Sequence, residues 1–157
     1  MIEPWMIIGG VTFLIALAGA IVRPKDVSWG KRLDRPKWLF FEPAIPFIWT
    51  FIFICGALSA ILVWEHEPGS FKTWLLMGLY LLVEIVTVAY IPVTLWMRSL
   101  AVGTLLGGSG FVLAVLLAIA IWPISQQATL LLVPYLLWTP VGTYTTREMI
   151  DLNPEAV

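Results

Sequence analysis

The sequence predicts an all-α membrane protein, in which one domain is a bundle of five transmembrane helices. Of its 157 residues, 60% are hydrophobic and only 12% are charged. That is about half the charge of an ordinary soluble domain, so polar groups cannot cover a globular surface. The apolar residues fall into five runs of about 18 to 22 residues, the length that crosses about 30 Å of hydrocarbon. A segment in lipid must satisfy its own backbone hydrogen bonds, so each run is predicted to be a helix.

The predicted boundaries follow these runs along the chain. The single domain covers residues 1–157, and its helices are expected at residues 5–22, 43–64, 73–91, 101–122 and 128–146. Buried strands are typically about 4–8 residues long, so runs of this length are not strands. Residues 23–42 form the longest connection and are expected to act as a lid-like loop over one end of the bundle.

The basic residues predict which way the bundle is oriented. Five crossings place residues 23–42, the third connection and the C-terminus on one side, and eight of the nine Lys and Arg residues lie there. Cytoplasmic segments are enriched in Lys and Arg, so the N-terminus is predicted outside and the C-terminus in the cytoplasm. The membrane is expected to be a bacterial inner membrane or a photosynthetic membrane. The eight residues are Arg23, Lys25, Lys31, Arg32, Arg35, Lys37, Arg98 and Arg147.

Several chemistries are excluded by residue counts. The chain has one cysteine, Cys55, and one histidine, His66, so it cannot form a Cys/His metal cluster or a bis-histidine haem site. No phosphate loop, Ser/His/Asp set or paired-carboxylate motif is present. A formal net charge of −1 implies no nucleic-acid partner. No cofactor is expected to be required, and an enzymatic role stays open.

Glu84 is the only carboxylate within the five runs, near the middle of the third. Ionisable residues at this depth are costly and usually face the interior of a bundle. Tyr80 and Thr87 lie on the same helix face, because they are four residues before and three residues after it. Two interpretations remain open: a ligand or proton site, or a structural hydrogen bond to a neighbouring helix.

Two aromatic segments are candidates for ligand contact. Residues 34–43 combine cations, aromatics and two prolines, which is typical either of a cytoplasmic loop or of a lid that binds an anionic ligand through Arg35 and Lys37 and stacks Trp38 on a flat ring. In the fifth run, Tyr135 and Trp138 share a helix face between two prolines. That face suits a planar apolar ligand or simple packing.

Small residues mark a third feature. Gly103 and Gly107 form a GxxxG pattern in the fourth run, and such surfaces let helices approach closely. Packing within one chain and a homodimer face are both open.

Two of these segments resemble the TspO/MBR family, the tryptophan-rich sensory proteins related to the mitochondrial translocator protein. Residues 33–38 (Leu-Asp-Arg-Pro-Lys-Trp), with Pro43 and Trp49-Thr50, resemble the first loop and second helix of the family. Residues 134–138 (Pro-Tyr-Leu-Leu-Trp), with Leu152-Asn153, resemble its last helix. Leu39 and two phenylalanines follow Trp38 where the family usually has prolines.

The resemblance implies a ligand pocket inside a five-helix bundle, closed by the first loop. Family ligands are tetrapyrroles such as haem and porphyrins, and sterols in some members. Carried over by position, Trp38 is the lid aromatic. The pocket is lined by Trp49, Tyr135 and Trp138, with Thr87 and Tyr90 where Asn and Trp are usual. Arg35 and Lys37 are partners for ligand carboxylates by charge alone, and Glu84 is a candidate from its depth alone.

Three functions therefore compete. The first is a membrane receptor or carrier that binds a tetrapyrrole, or a similar flat or sterol-like ligand, and has a sensory or regulatory role. The second is an enzyme that degrades tetrapyrroles with light. The third is an accessory structural subunit of a larger membrane complex.

Overall fold

The computed structural model describes residues 1–157 and is entirely helical, with no β-strand. The fold class predicted from the sequence, an all-α membrane protein, is confirmed. Two short 3₁₀ turns, Glu42–Ala44 and Pro154–Ala156, accompany six α-helices. The helices are α1 (Pro4–Ala18), α2 (Pro24–Lys31), α3 (Ile45–His66), α4 (Phe71–Met97), α5 (Leu100–Ile121) and α6 (Gln126–Leu152).

Serine side chains determine where the last three helices begin. The hydroxyl oxygens of Ser70, Ser99 and Ser125 accept hydrogen bonds from the backbone N–H groups three residues later, at 3.1–3.2 Å. Each serine thereby satisfies one of the free N–H groups in the first turn. The first three helices instead begin with a proline in the first turn, where the missing N–H costs nothing.

The structure differs from the predicted boundaries in four main places. The helix of the third run does not stop at residue 91 but continues through Pro92 to Met97, where Arg98 takes a left-handed backbone conformation with φ 51°. One internal proline removes a single hydrogen bond, and packing against neighbours offsets that loss because Pro92 is buried. The segment 23–42, predicted as a loop, contains α2. The first helix ends at Ala18, and the last continues to Leu152.

Five of the helices close a ring around a common interior. In order around the ring, α1 packs on α3, α3 on α6, α6 on α5, α5 on α4, and α4 on α1. The short helix α2 lies across the end of α4. We call this end of the bundle, which carries residues 23–42, the loop end.

The surface of the ring is that of a protein in lipid. Only 29 of the 157 residues are buried, while Phe13, Phe47, Leu105 and Leu137 are each more than 60% exposed on the outside. The segment Glu42–His66 and helices α4 and α5 are each long and apolar enough to cross a membrane. The chain is thus a multi-pass membrane protein in contact with the bilayer. Five crossings and their direction stay predictions, because α1 has only 15 residues and the end of α6 is charged.

The glycine pattern of α5 packs against neighbouring helices of the same chain. A Cβ at Gly103 would lie 2.7 Å from the Thr94 hydroxyl oxygen, and one at Gly107 would lie 2.5 Å from that of Thr143. These close approaches let α4 and α6 pack directly on α5. Of the two alternatives, packing within one chain is therefore present at Gly103 and Gly107, and a homodimer stays a prediction.

Candidate ligand-binding site

The aromatic residues after α2 close the loop end over α6. The Trp38 ring stacks on Tyr144 with centroids 6.2 Å apart, and its indole N–H donates to the Glu148 carboxylate at 2.8 Å. Phe41 meets Trp138 edge-on at 6.1 Å. The structure thus brings the predicted lid residue and the predicted pocket residue of α6 into one cluster, with Phe41 between them. We call Trp38, Phe41, Trp138 and Tyr144 the lid cluster.

Asn153 fixes the loop to the end of α6. Its Oδ1 accepts from the Asp34 backbone N–H at 2.8 Å, and its Nδ2 donates to the Asp34 carbonyl at 2.9 Å. The same Nδ2 also donates to the Met149 carbonyl at 2.9 Å. Asn153 is buried, so this side chain acts as a two-way clamp that determines where the lid begins. The paired bonds require an amide, which has both a donor and an acceptor.

Asp26 ties α2 to the end of α4. Its carboxylate, only 1% exposed, accepts from Arg23 at 2.6 Å and from Arg98 at 3.4 Å. Burial alone would raise the pKa of the Asp26 carboxyl, but the hydrogen bonds and charges of the two arginines outweigh it and lower the pKa. The carboxylate therefore stays ionised and links α2 to Arg98 at the end of α4.

Tyr135 occupies the middle of the bundle. Its ring meets Trp49 of α3 edge-on at 6.2 Å, and its hydroxyl lies 2.7 Å from Thr87 Oγ1 of α4. Since Thr87 donates its only hydroxyl hydrogen to the Val83 carbonyl, the Tyr135 O–H is the donor between the two. Trp49, Tyr135 and Thr87, three of the predicted site residues on three helices, are thus in contact at the same height in the bundle.

We call this arrangement, in which a tyrosine O–H donates to a Ser or Thr hydroxyl that donates in turn to a backbone carbonyl, a relay. It occurs twice more. Tyr80 donates to Ser59, which donates to the Ala128 carbonyl, at 2.6 and 2.7 Å. Tyr90 donates to Thr146, which donates to the Gly142 carbonyl. Each relay satisfies a tyrosine in the apolar interior and links α4 to α6. Tyr90 is thereby placed near the loop end, apart from the Trp49–Tyr135 level.

Glu84 faces the inside of the ring and bonds to α1. It accepts a hydrogen bond from Thr12 Oγ1 at 2.6 Å. It also borders the inner cavity, which encloses about 40 Å³ and is lined by Ile52, Phe53, Tyr80, Thr87 and Tyr135 among others. The structural hydrogen bond considered from the sequence is present, and the carboxyl lines a cavity as well.

The two predicted cationic partners differ in their surroundings. Arg35 donates to the Gly30 and Leu33 carbonyls at 3.0 and 2.6 Å and pairs with Glu42 at 3.2 Å. Its guanidinium therefore organises the loop. Lys37 is exposed, forms no ion pair, and precedes Trp38 in the lid.

Four residues of this site were missed by sequence reasoning: Thr12, Phe41, Glu148 and Asn153. Thr12 had a signal, because it is the only polar side chain in the first apolar run. Phe41 is next to a predicted lid residue, and Asn153 lies in a recognised motif. Nothing in the sequence pairs Glu148 with Trp38, 110 residues away.

Acidic and sulfur ligands are dispersed in the structure. No group of three or more His, Cys, Asp or Glu side chains lies close enough together to hold a metal ion. The groups that converge are instead aromatic rings and hydroxyls, which suit an apolar ligand with few polar atoms.

Comparison with known proteins agrees with these features. The model of the TspO/MBR family matches residues 7–151. The tryptophan-rich protein TspO of Chlorobaculum tepidum is 26% identical over 148 residues, covering 92% of each chain. The tryptophan-rich sensory protein of Cereibacter sphaeroides is 27% identical over 147 residues, covering 90% of this chain and 87% of its own. An uncharacterised membrane protein of Bacillus subtilis, YtaB, is 26% identical over 144 residues, covering 91% of this chain and 92% of its own.

The family match spans all five helices of the ring together with the loop and the lid cluster. The relatives align with nearly the whole chain. The protein is thus a multi-pass membrane protein of bacterial type, and it belongs to the TspO/MBR family.

Proposed function

We propose that this protein is a membrane receptor or carrier for a flat hydrophobic ligand, with a tetrapyrrole such as haem or a porphyrin as the ligand class, and that it has a sensory or regulatory role. Two of the relatives described above are named tryptophan-rich proteins, and the one from Cereibacter sphaeroides is named a sensory protein. The aromatic residues that converge from the loop, α3 and α6 support a ligand with extended π-surface.

The observation that carries the proposal is the contrast between the inner cavity and the lid cluster. A small-molecule site typically needs about 300 Å³ or more, whereas the inner cavity encloses about 40 Å³. Next to it, Phe41 packs on Trp138 and Trp38 stacks on Tyr144. A flat ligand would take the place of the two lid rings against α6, so binding requires the lid to move.

Lid movement would also make ligand binding detectable from outside the membrane. The segment that must move, residues 35–42, is held by the Asn153 clamp at one side and by α3 at the other. Opening it breaks the hydrogen bond from Trp38 to Glu148 and exposes that carboxylate. Lys37, exposed and without an ion pair, is the cation in this segment best placed to meet a ligand carboxylate.

Fluorescence titration with protoporphyrin IX tests the proposal. Saturable quenching of tryptophan emission is expected in the purified protein, and the double variant Trp38→Ala with Trp138→Ala should bind about tenfold more weakly or worse, because two aromatic contacts are lost. The matched control removes two indoles at the opposite end, Trp64→Ala with Trp74→Ala, whose rings contact each other at 4.9 Å. Equal affinity in both double variants would contradict the site.

A further inference from the structure

A second cavity lies at the loop end, between α2 and the ends of α4, α5 and α6. It is open on one side and has a volume of about 240 Å³, compared with about 40 Å³ for the inner cavity. Its roof is α2 with the turn that follows, and its walls are the end of α4, the start of α5 and the end of α6. We call it the outer cavity. It is separate from the lid cluster, because none of the four lid-cluster residues lines it.

The roof of the outer cavity contacts α4 at two points. Asp26 pairs with Arg98, which joins α2 to the end of α4. Gly30 then lies so close to α4 that a Cβ on it would be 2.8 Å from Leu95 Cδ2. Both ends of α2 therefore lie against the end of α4.

The walls and the rim have opposite chemistry. The walls are mainly apolar, with Ile91, Leu95, Leu100 and Met149 beside Tyr90 and Thr94. Ile91 is half-exposed on the outside of α4. At the rim are two cations, Arg35 and Lys31. Lys31 is exposed and forms no ion pair, so its charge is free to meet an anion.

We propose that the outer cavity binds an anionic phospholipid, with the phosphate at Lys31 and the first part of an acyl chain along Ile91 and Leu95. Charge complementarity selects an anion, and the apolar walls select one with a hydrocarbon tail. Basic pockets between helices at the cytoplasmic side of a membrane are known to suit such head groups. Ile91 opens the cavity toward the bilayer, where a lipid is always available.

The bound lipid would stabilise the docking of α2 on the bundle. It would fill the gap between the basic turn and the ends of α4, α5 and α6, and it would neutralise a cation that has no partner in the chain. This role does not depend on the ligand of the lid cluster, so the two proposals can fail separately.

Native mass spectrometry of the purified protein tests lipid binding. The protein is incubated with phosphatidylglycerol or with phosphatidylcholine of the same acyl chains, and the fraction that retains lipid is measured. Phosphatidylglycerol should be retained preferentially. Lys31→Gln should lower its affinity about fivefold, the effect of one basic residue near a membrane surface. Lys25→Gln is the matched control, because Lys25 is also exposed on α2 but does not line the cavity.

A second pair of variants tests the apolar half of the site without changing charge. Ile91→Trp fills the cavity from its half-exposed wall and should abolish retention, whereas Leu105→Trp, on an exposed position of α5, should not change it. The proposal is overturned if Lys25→Gln weakens retention as much as Lys31→Gln, which would indicate diffuse surface attraction. It is also overturned if Ile91→Trp has no effect, if the two lipids bind equally, or if protoporphyrin IX displaces the lipid. Lys31→Gln should leave the porphyrin titration unchanged, which separates this test from that of the lid cluster.

Discussion

The Cα of Gly110 in α5 lies directly against the hydroxyl of Tyr135 in α6: a Cβ at this position would be 2.7 Å from the Tyr135 oxygen. The hydroxyl is held there by its hydrogen bond to Thr87. One glycine thus leaves the space in which α4, α5 and α6 meet around a single phenol. A side chain larger than hydrogen at position 110 should therefore lower the stability of the protein.

Gly110→Ala should destabilise the protein by about 1–3 kcal/mol, because the added methyl group must push Tyr135 off Thr87 or separate two helices. Gly108→Ala is the control, since a Cβ there meets nothing within 4 Å. In that position alanine should be neutral or stabilising by up to about 1 kcal/mol, as expected from helix propensity. Thermal unfolding in detergent measures both. Equal shifts in the two variants would refute the packing described for Tyr135.

The Ser59 relay predicts an asymmetry between two deletions. Ser59→Ala leaves the buried Tyr80 O–H without an acceptor and should cost about 1–3 kcal/mol. Tyr80→Phe removes that donor but leaves Ser59 bonded to the Ala128 carbonyl, so the loss should be smaller. The double variant should be no less stable than Ser59→Ala alone, because no polar group is then stranded. Thermal unfolding distinguishes these cases, with Ser109→Ala on an exposed position as the control.

The Asn153 clamp predicts how often the lid opens. Asn153→Ala removes both bonds to Asp34, each contributing about 1 kcal/mol, so trypsin cleavage after Lys37 should become about tenfold faster or more. Asn153→Asp keeps an acceptor for the Asp34 N–H and loses the donor. Its cleavage rate should lie between those of the unaltered protein and Asn153→Ala. Timed digestion followed by mass spectrometry gives the rates. Unchanged cleavage in Asn153→Ala would contradict the clamp.

Asp26 predicts a loss of α2 docking in acid. An aspartic acid ordinarily has a pKa of 3.8, and the arginines lower the pKa of Asp26 in the folded protein. Its stabilisation is therefore complete above 3.8 and is lost as the pH falls through the lower folded value. Pepsin cleavage within residues 24–36 should accelerate over that range in the unaltered protein.

Asp26→Asn should be cleaved in this segment at a raised rate that no longer increases as the pH falls, because the carboxylate that titrates is gone. Asp151→Asn is the matched control, since Asp151 is 74% exposed and pairs only with Arg147. A similar pH profile in Asp26→Asn and in the unaltered protein would show that another group controls the docking of α2.

Glu84 can be assigned a structural or a ligand role by two substitutions. Glu84→Gln keeps an acceptor for Thr12 and should leave thermal stability nearly unchanged, whereas Glu84→Ala strands the Thr12 hydroxyl and should cost about 1–3 kcal/mol. Porphyrin affinity is measured on the same two variants. If Glu84→Gln is stable but binds porphyrin more weakly, the carboxyl acts on the ligand. Unchanged binding leaves Glu84 as the link between α1 and α4.

Much of the fold was accessible from the sequence because helices in lipid are recognised by length and apolarity. The limits of that method appear at Pro92, where a residue that usually ends a helix lies inside α4. They appear again at Pro24–Lys31, where a polar segment with two lysines is helical because Asp26 and Gly30 dock it on α4. Such docking depends on a surface that no local pattern describes.

For the candidate site, residue types were easier to predict than partners. Trp38, Trp49, Tyr135 and Trp138 were singled out as large aromatics with a polar atom, and the structure places them in two adjoining clusters. Arg35 was chosen for its charge, but its guanidinium already bonds to the loop. The GxxxG pattern was identified correctly as a packing surface, yet only the structure revealed that α4 and α6 occupy it.

The sequence by itself determined that this chain is a helical membrane protein with a basic end, because matching apolar length to a bilayer is a property of composition and spacing. The tertiary structure alone decided which side chains meet. Thr12 bonds to Glu84 across 72 residues, and Asn153 clamps Asp34 across 119. These pairs are separated along the chain and joined only when the ring of helices closes, so the lid, the inner cavity and the outer cavity exist only in the folded bundle.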